Sequence, residues 1–347
     1  MIQVCVMPGP VTPKDDGFWS FLEPLIEQIK TLATRGMDVH CSDGVIVHSK
    51  VRLMIATGDI VGLSVLCNHS GHMSKFGCRI CLVEGISNGS NRGMYFEPTA
   101  TNLSMPWRSH DSFLTGDRMQ GLKKPSPLAE LTGFVGPTSF GLDEMHMLGL
   151  GISRQLLSLL DGGKGSKKNH TRGDLYIGEK VAKIFFAMME DSRSTIPAVF
   201  KGSFRQPYST FTTRAVDYID IVRYIIPSLF VPAYSNRSAM DALLSLVMII
   251  QIAIQPVISN DLLDQMQDSL NTWNSFLMDQ CNGEKLSINV FVPNQHYLNH
   301  LPLMIKKLGP PIGFSTRCLE RTIGVYKSRL RSKRDPGVEA GNVMVEL

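Results

Sequence analysis

The sequence predicts an α+β protein that is mostly helical. Three observations carry that expectation. The first 60 residues alternate strand-like and helical patterns, and the chain from Asp143 onward repeats apolar residues at helical spacing. The composition is that of a packed globule, 43% hydrophobic and 19% charged over 347 residues. A chain of this length buries a sizeable core as one large domain or two ordinary ones.

Ile2 to Met7 alternates and is rich in branched residues, so it reads as a strand running into the Gly9-Pro10 turn. Asp15 or Asp16 then caps a helix with apolar positions Phe18, Phe21, Leu22, Leu25, Ile26 and Ile29, and Arg35-Gly36 ends it. Met37 to Cys41 and Val45 to Thr57 read as strands, the second closing at Gly58-Asp59, and Ile60 to Leu66 as a short helix. Residues 67–98 turn irregular, and 99–140 are broken by Pro106, Pro125, Pro127 and Pro137. Helices are expected over Met145–Leu160, Gly178–Met189, Ala215–Phe230, Ala239–Ile254, Leu262–Gln280, Gln295–Leu308 and about Arg317–Lys333, with a surface loop at Gly162–Lys168. There is no internal repeat.

Seven cysteines without even spacing do not form a secreted disulfide framework, and Met1 opens no signal peptide. Reduced thiols make metal binding the better use of a close pair. The most apolar run, Ala242 to Ile258, is interrupted by Ser245, Gln251 and Gln255, which suits a buried bundle helix and not a membrane span. A soluble intracellular protein is expected. The net charge of +4 singles out no partner, but Arg317 to Arg334 carries seven Lys or Arg against one Glu.

Cys78-Arg-Ile-Cys81 places two thiols where both can reach one zinc ion, and no second such pair completes a four-cysteine site. His296 and His300, at i and i+4 on an expected helix, share a face and can fill the two remaining positions. Cys67, His69 and His72 are rival ligands for a site local to the cysteine pair. Two acids complete the constellation. Asp59 sits at a strand end and Glu320 on the basic C-terminal helix, and two-metal phosphoryl transfer needs carboxylates brought together. A zinc site joining the distant halves would draw those two regions together. Read singly, Asp59 is also a turn residue, Glu320 a solvated carboxylate and Asp143 a helix cap, with His146 one turn further on.

The run Met7-Pro-Gly-Pro-Val-Thr-Pro-Lys-Asp-Asp16, with Phe21-Leu-Glu-Pro-Leu25 after it, resembles the catalytic region of CACTA-type (En/Spm-like) transposases. So do Arg52-Leu-Met-Ile-Ala-Thr-Gly-Asp59, Gly71-His72, Gly77-Cys-Arg-Ile-Cys81, Asp143-Glu-Met-His146 and Glu320-Arg-Thr-Ile-Gly-Val-Tyr-Lys327. The order of acid, cysteine pair, helical stretch, histidine pair and Glu is also similar to that of the V(D)J recombinase catalytic subunit. The resemblance is strongest over residues 7–98 and 293–334.

The resemblance implies an incomplete ribonuclease-H-like core with a zinc site and a large helical insertion. Its expected divisions are a partial core with the cysteine knuckle (1–98), a loop-rich then helical insertion (99–292), and a closing segment with the histidine pair and basic helix (293–347). It further implies catalytic Asp59 and Glu320 holding Mg²⁺ or Mn²⁺, and structural zinc on Cys78, Cys81, His296 and His300. DNA phosphates would lie along Arg321, Lys327, Arg329, Arg331, Lys333 and Arg334. His72, Asp143 and His146 are further candidates, and nuclear location and a homodimer are expected. The family's first acid lies on a strand upstream of Ile2, and no residue here matches it. The expectation is therefore a chain truncated at its N-terminus, decayed or domesticated. Either it cuts and joins DNA, or it is a non-catalytic zinc-stabilised DNA-binding scaffold.

Overall fold

A computed structural model of the protein describes residues 5, 7, 13–89, 93–163, 173–197, 199, 202–207, 213–330 and 335–346. Most of the strand expected at Ile2–Met7, most of the Gly162–Lys168 loop, and Arg331, Lys333 and Arg334 lie outside them. The described part is mostly helical with one two-stranded sheet.

Helix α1 (Asp16–Thr34) forms where the apolar spacing predicts, and it ends at Arg35 and Gly36, the latter at φ 78°. That left-handed turn suits glycine because it has no Cβ to clash. Asp15 occupies the N-cap position without a side-chain hydrogen bond. Strands β1 (Met37–His40) and β2 (Ile46–Ser49) pair antiparallel, with Met37 opposite Ser49 and Val39 opposite Val47. One face of this hairpin is apolar yet open: Met37, Val39 and Val47 are all exposed, and Cys41 and Val45 extend it to the turn. The longer strand expected over Val45–Thr57 is corrected. Pairing stops at Ser49, and residues 51–58 form no ladder, only one parallel bridge, Ala56 to Phe140. Alternation in sequence specifies a strand only where a partner edge accepts its ladder.

Helix α2 (Ile60–Leu66) follows, then loops holding α3 (Ala100–Leu103) and α4 (His110–Thr115). Around α1 and α2 a smaller core gathers Ile26, Leu63, Cys67, Phe113, Leu122, Phe134 and Phe140. A larger core is built by the helical stretch. It takes in a π-helical segment Met145–Ser153 continuing into α5 (Arg154–Asp161), then α6 (Glu179–Asp191). Next come α7 (Ala215–Asp220) with a π-helical continuation Ile221–Phe230, and the antiparallel pair α8 (Arg237–Ala253) and α9 (Asn260–Asn282). The widened turns at 145–153 lie beside a close approach: a Cβ on Gly149 would stand 2.6 Å from the Ala215 carbonyl oxygen. Helix α8 buries residues on most of its circumference, as its apolar run requires, and no helix among the described residues is long and apolar enough to cross a membrane.

The helix expected over Gln295–Leu308 is two, α10 (Pro293–Leu298) and α11 (Leu301–Leu308), joined at Asn299 and His300. Pro302 sits in the first turn of α11, where its missing N–H costs no bond. Helices α12 (Arg317–Arg329) and α13 (Pro336–Glu346) end the described chain. A buried polar chain fixes α10 from behind. Trp273 Nε1 donates to Gln295 Oε1 at 2.9 Å, and Gln295 Nε2 donates to Gln155 Oε1 at 2.9 Å. The larger core also contains Cys78, Ile80, Cys81 and Val83, so the knuckle is one of its walls.

Trp273→Ala empties a fully buried site and leaves Gln295 Oε1 without its donor. Chemical denaturation of this variant is expected to show a loss of about 3–5 kcal/mol. A second expectation concerns Asp174. The Lys285 ammonium beside it (2.7 Å), with Gln280 and Asn236 donating, holds its carboxyl below the usual range. A depressed folded-state value means the stability it contributes is present above the unfolded carboxylate range and is lost as pH falls through the folded value. The stability difference between wild type and Asp174→Asn should therefore shrink on acidification, and a difference independent of pH would contradict the assignment.

Candidate metal centre and acidic cleft

Cys78 and Cys81 sit on a tight knuckle in which the Ile80 and Cys81 N–H groups both point at Cys78 Sγ, each at 3.3 Å. The neighbouring segment pins it: Arg108 N donates to Ile80 O (2.8 Å), and Arg108 Nε to Cys78 O (3.0 Å). Into this knuckle α10 and its junction with α11 bring His296 and His300, 215 and 222 residues away from Cys81 and Cys78. Cys81 Sγ lies 3.2 Å from His296 Nε2, Cys78 Sγ 3.5 Å from His300 Nε2, and the two Nε2 atoms are 3.0 Å apart. All four donor atoms fall within 4.8 Å of one another, and all four residues are buried. A tetrahedral zinc ion with ordinary bond lengths separates nitrogen from sulfur by about 3.5 Å and nitrogen from nitrogen by about 3.3 Å. The donor set and its spacing therefore fit one zinc ion.

Electrostatics agree with that reading. Burial pushes the Cys78 thiol up, but the hydrogen bond from Cys81 and the two imidazoles outweigh it and hold Cys78 well below its ordinary value. Cys81 moves the other way, raised by its bond to Cys78 and by burial. A zinc ion held by both sulfurs would displace their protons. Burial lowers His300, keeping it in the neutral form that ligates. Phe96 packs against His296 and Trp107 edge-on against His300, each with ring centroids 5.5 Å apart, so the centre is shielded from water.

The rival local site does not form. His69 uses both ring nitrogens, against Phe76 O (2.8 Å) and Gly71 N (3.0 Å), and burial beside Arg108 holds its pKa down to about 4. Cys67 Sγ bonds the Leu63 carbonyl instead. His72 is half-buried, its value lowered by burial with Asp59 as its charged neighbour, and it is not among the four clustered donors.

Next to the centre lies a cleft of about 200 Å³ lined by Asp59, Arg79, Asp143, His146, Asn294 and Tyr297, among others. Asp59 caps α2, its Oδ1 accepting from Gly62 N at 2.6 Å, and it remains exposed. Asp143 Oδ2 accepts from His146 N (2.9 Å) and pairs with His146 Nδ1 (2.7 Å), while Oδ1 accepts from Thr316 N (2.8 Å). Burial opposes ionisation of Asp143, but these bonds outweigh it and its value falls; the same Asp143 bond raises His146. His146 Nε2 then stands 3.7 Å from Glu320 Oε1 in the first turn of α12, and Asp59 acts on the same ring through its charge. The two acids expected to meet thus flank one histidine, although they form no metal cluster by themselves among the described residues.

Sequence reasoning missed three participants. Glu144, fully buried, forms a 2.7 Å ion pair with Arg317, out of line for a good hydrogen bond, and the Thr316 N–H donates to Asp143 Oδ1. Glu144 stands inside the motif quoted above and gave no signal beyond its place there. Of the basic residues, Arg321, Lys327 and Arg329 are exposed on α12, where Arg329 pairs with Glu346 at 3.2 Å. No protein-family model matches the chain, and no curated protein matches it.

Metal analysis of the purified protein is expected to give one zinc per chain. His296→Ala/His300→Ala should lose it together with the cooperative thermal transition. Full zinc retained in that variant would place the ion elsewhere.

Proposed function

We propose that the chain is a catalytic region derived from a CACTA-type transposase, cutting and joining DNA strands on a ribonuclease-H-like core. The observation that carries this reading is the convergence of Cys78 and Cys81 with His296 and His300, with Asp59 and Glu320 on either side of His146. Helical residues between the cysteine and histidine pairs would be the insertion, and the zinc would be structural, since four protein donors leave no open position.

Asp59 and Glu320 would hold Mg²⁺ or Mn²⁺, which when bound stabilises charge developing on phosphoryl oxygens. Around them the chain's own groups act by position. Asp143 fixes the ring of His146 so that Nε2 faces Glu320, and Glu144 and Asp143 anchor Arg317 and Thr316 at the start of the helix that carries the acid. Arg321, Lys327 and Arg329, followed in sequence by Arg331, Lys333 and Arg334, would lie along DNA phosphates. Nuclear location and pairing of two copies on two DNA ends belong to the same reading.

A second reading is a zinc-stabilised DNA-binding scaffold derived from such an enzyme and without catalysis. One observation favours it: among the described residues the grouped metal donors are Cys78, Cys81, His296 and His300, and neither Asp59 nor Glu320 is among them.

One assay separates the two. With labelled duplex DNA and Mn²⁺, the enzyme reading expects strand cleavage that drops about a hundredfold or more in Glu320→Gln, with DNA affinity unchanged and falling as salt rises. Salt-dependent binding without cleavage by the wild type selects the scaffold. Absence of DNA binding overturns both.

A further inference from the structure

Arg79, which with Ile80 separates Cys78 from Cys81, is 3% exposed. Its guanidinium lies 4.7 Å over the Tyr297 ring and gives one Nη2 bond to Gly141 O at 2.8 Å, while its Nε has no partner. No carboxylate among the described residues pairs with it. An arginine does not shed its charge at any physiological pH, and a buried charge is costly unless it is paired. The thiolates next door provide no counter-charge once zinc is bound, because two thiolates and one Zn²⁺ sum to zero.

The cleft supplies what is missing. Arg79 lines it together with Asn294, Tyr297 and His146. Of the two acids in the same wall, Asp143 is turned to Thr316 N and His146, and the exposed Asp59 gives one oxygen, Oδ1, to Gly62 N. We infer that this cleft is an anion site for a phosphate-class oxyanion, with Arg79 as its floor and Asn294 as a donor on its wall. A planar guanidinium stacked on an aromatic ring is a group well matched to phosphate oxygens, and among the described residues Arg79 is the one cation lining this cleft besides the histidine. The site stands on this geometry whether or not the chain cuts DNA. Where the proposed function holds, the oxyanion is a backbone phosphodiester held beside Asp59.

The test titrates inorganic phosphate by calorimetry and a short oligonucleotide by fluorescence anisotropy, each into zinc-loaded wild type, Arg79→Gln and Asn294→Asp. Asn294→Asp adds a negative charge to the cleft without touching the knuckle, so it carries the test if Arg79→Gln disturbs zinc. The expected result is phosphate binding by the wild type that weakens about tenfold or more in both variants, with one zinc per chain retained in Asn294→Asp. Weakened oligonucleotide binding in the same variants identifies the phosphodiester as the source, and unchanged oligonucleotide binding identifies free phosphate. No phosphate binding by the wild type, or equal binding by all three proteins, overturns the inference. Glu320 does not line the cleft, so loss or survival of strand cleavage in Glu320→Gln is judged separately.

Discussion

The meeting of Cys78 and Cys81 with His296 and His300 ties together parts of the chain more than 200 residues apart, and the rest of the site is arranged around it. The knuckle contributes Cys78, Ile80 and Cys81 to the larger core, and α10 contributes Tyr297 and Leu298 to the same core. Closing so long a loop costs entropy that grows only slowly with length, whereas four buried donors on one ion contribute a large favourable term. The junction also sets the neighbours. Arg79 and Tyr297 stack because one lies between the cysteines and the other follows His296, and the cleft opens where their contact faces Asp59 and His146.

A second junction repeats the pattern over a shorter separation in sequence. One turn, residues 143–146, holds the first turn of α12 at three points: Asp143 on the Thr316 N–H, Glu144 on Arg317, and His146 facing Glu320. The turn opens the π-helical segment packed on α7, so the position of Glu320 is referred back to the helical core. Burial raises Glu144, yet Arg317 supplies its counter-charge, which makes the contact costly to break from either side. The basic helix is thereby fixed at its N-terminal end, while its exposed arginines and lysine face outward.

Much of this was legible in the sequence because it rests on spacing. Cysteines three apart and histidines four apart announce a shared metal, and the helical stretch from Ala215 to Gln280 follows its apolar period closely. The choice between the local and long-range ligand sets could not be read from spacing, because His69 and His72 are as close to Cys78 in sequence as a local site requires. Two carbonyl and amide contacts of His69 decide it, and they exist only once the 69–76 loop has folded. The strand at Val45–Thr57 was over-read for a related reason: alternation shows that a segment can pair, while the partner edge lies elsewhere in the chain. Glu144 and Arg79 were invisible because burial, and not residue type, makes them unusual.

The separation of the zinc donors has a consequence for the order of assembly. A chain made from its N-terminus presents Cys78 and Cys81 long before His296 exists, so the knuckle spends most of synthesis with half its donors. Contacts of such high sequence separation form late and slowly, because the intervening helices must be in place first. The antiparallel pair α8 and α9, rich in local contacts, is suited to fold early and to carry Trp273 into position behind α10. Capture of a metal there would wait for α10, and an interrupted chain would hold two thiols without their histidine partners.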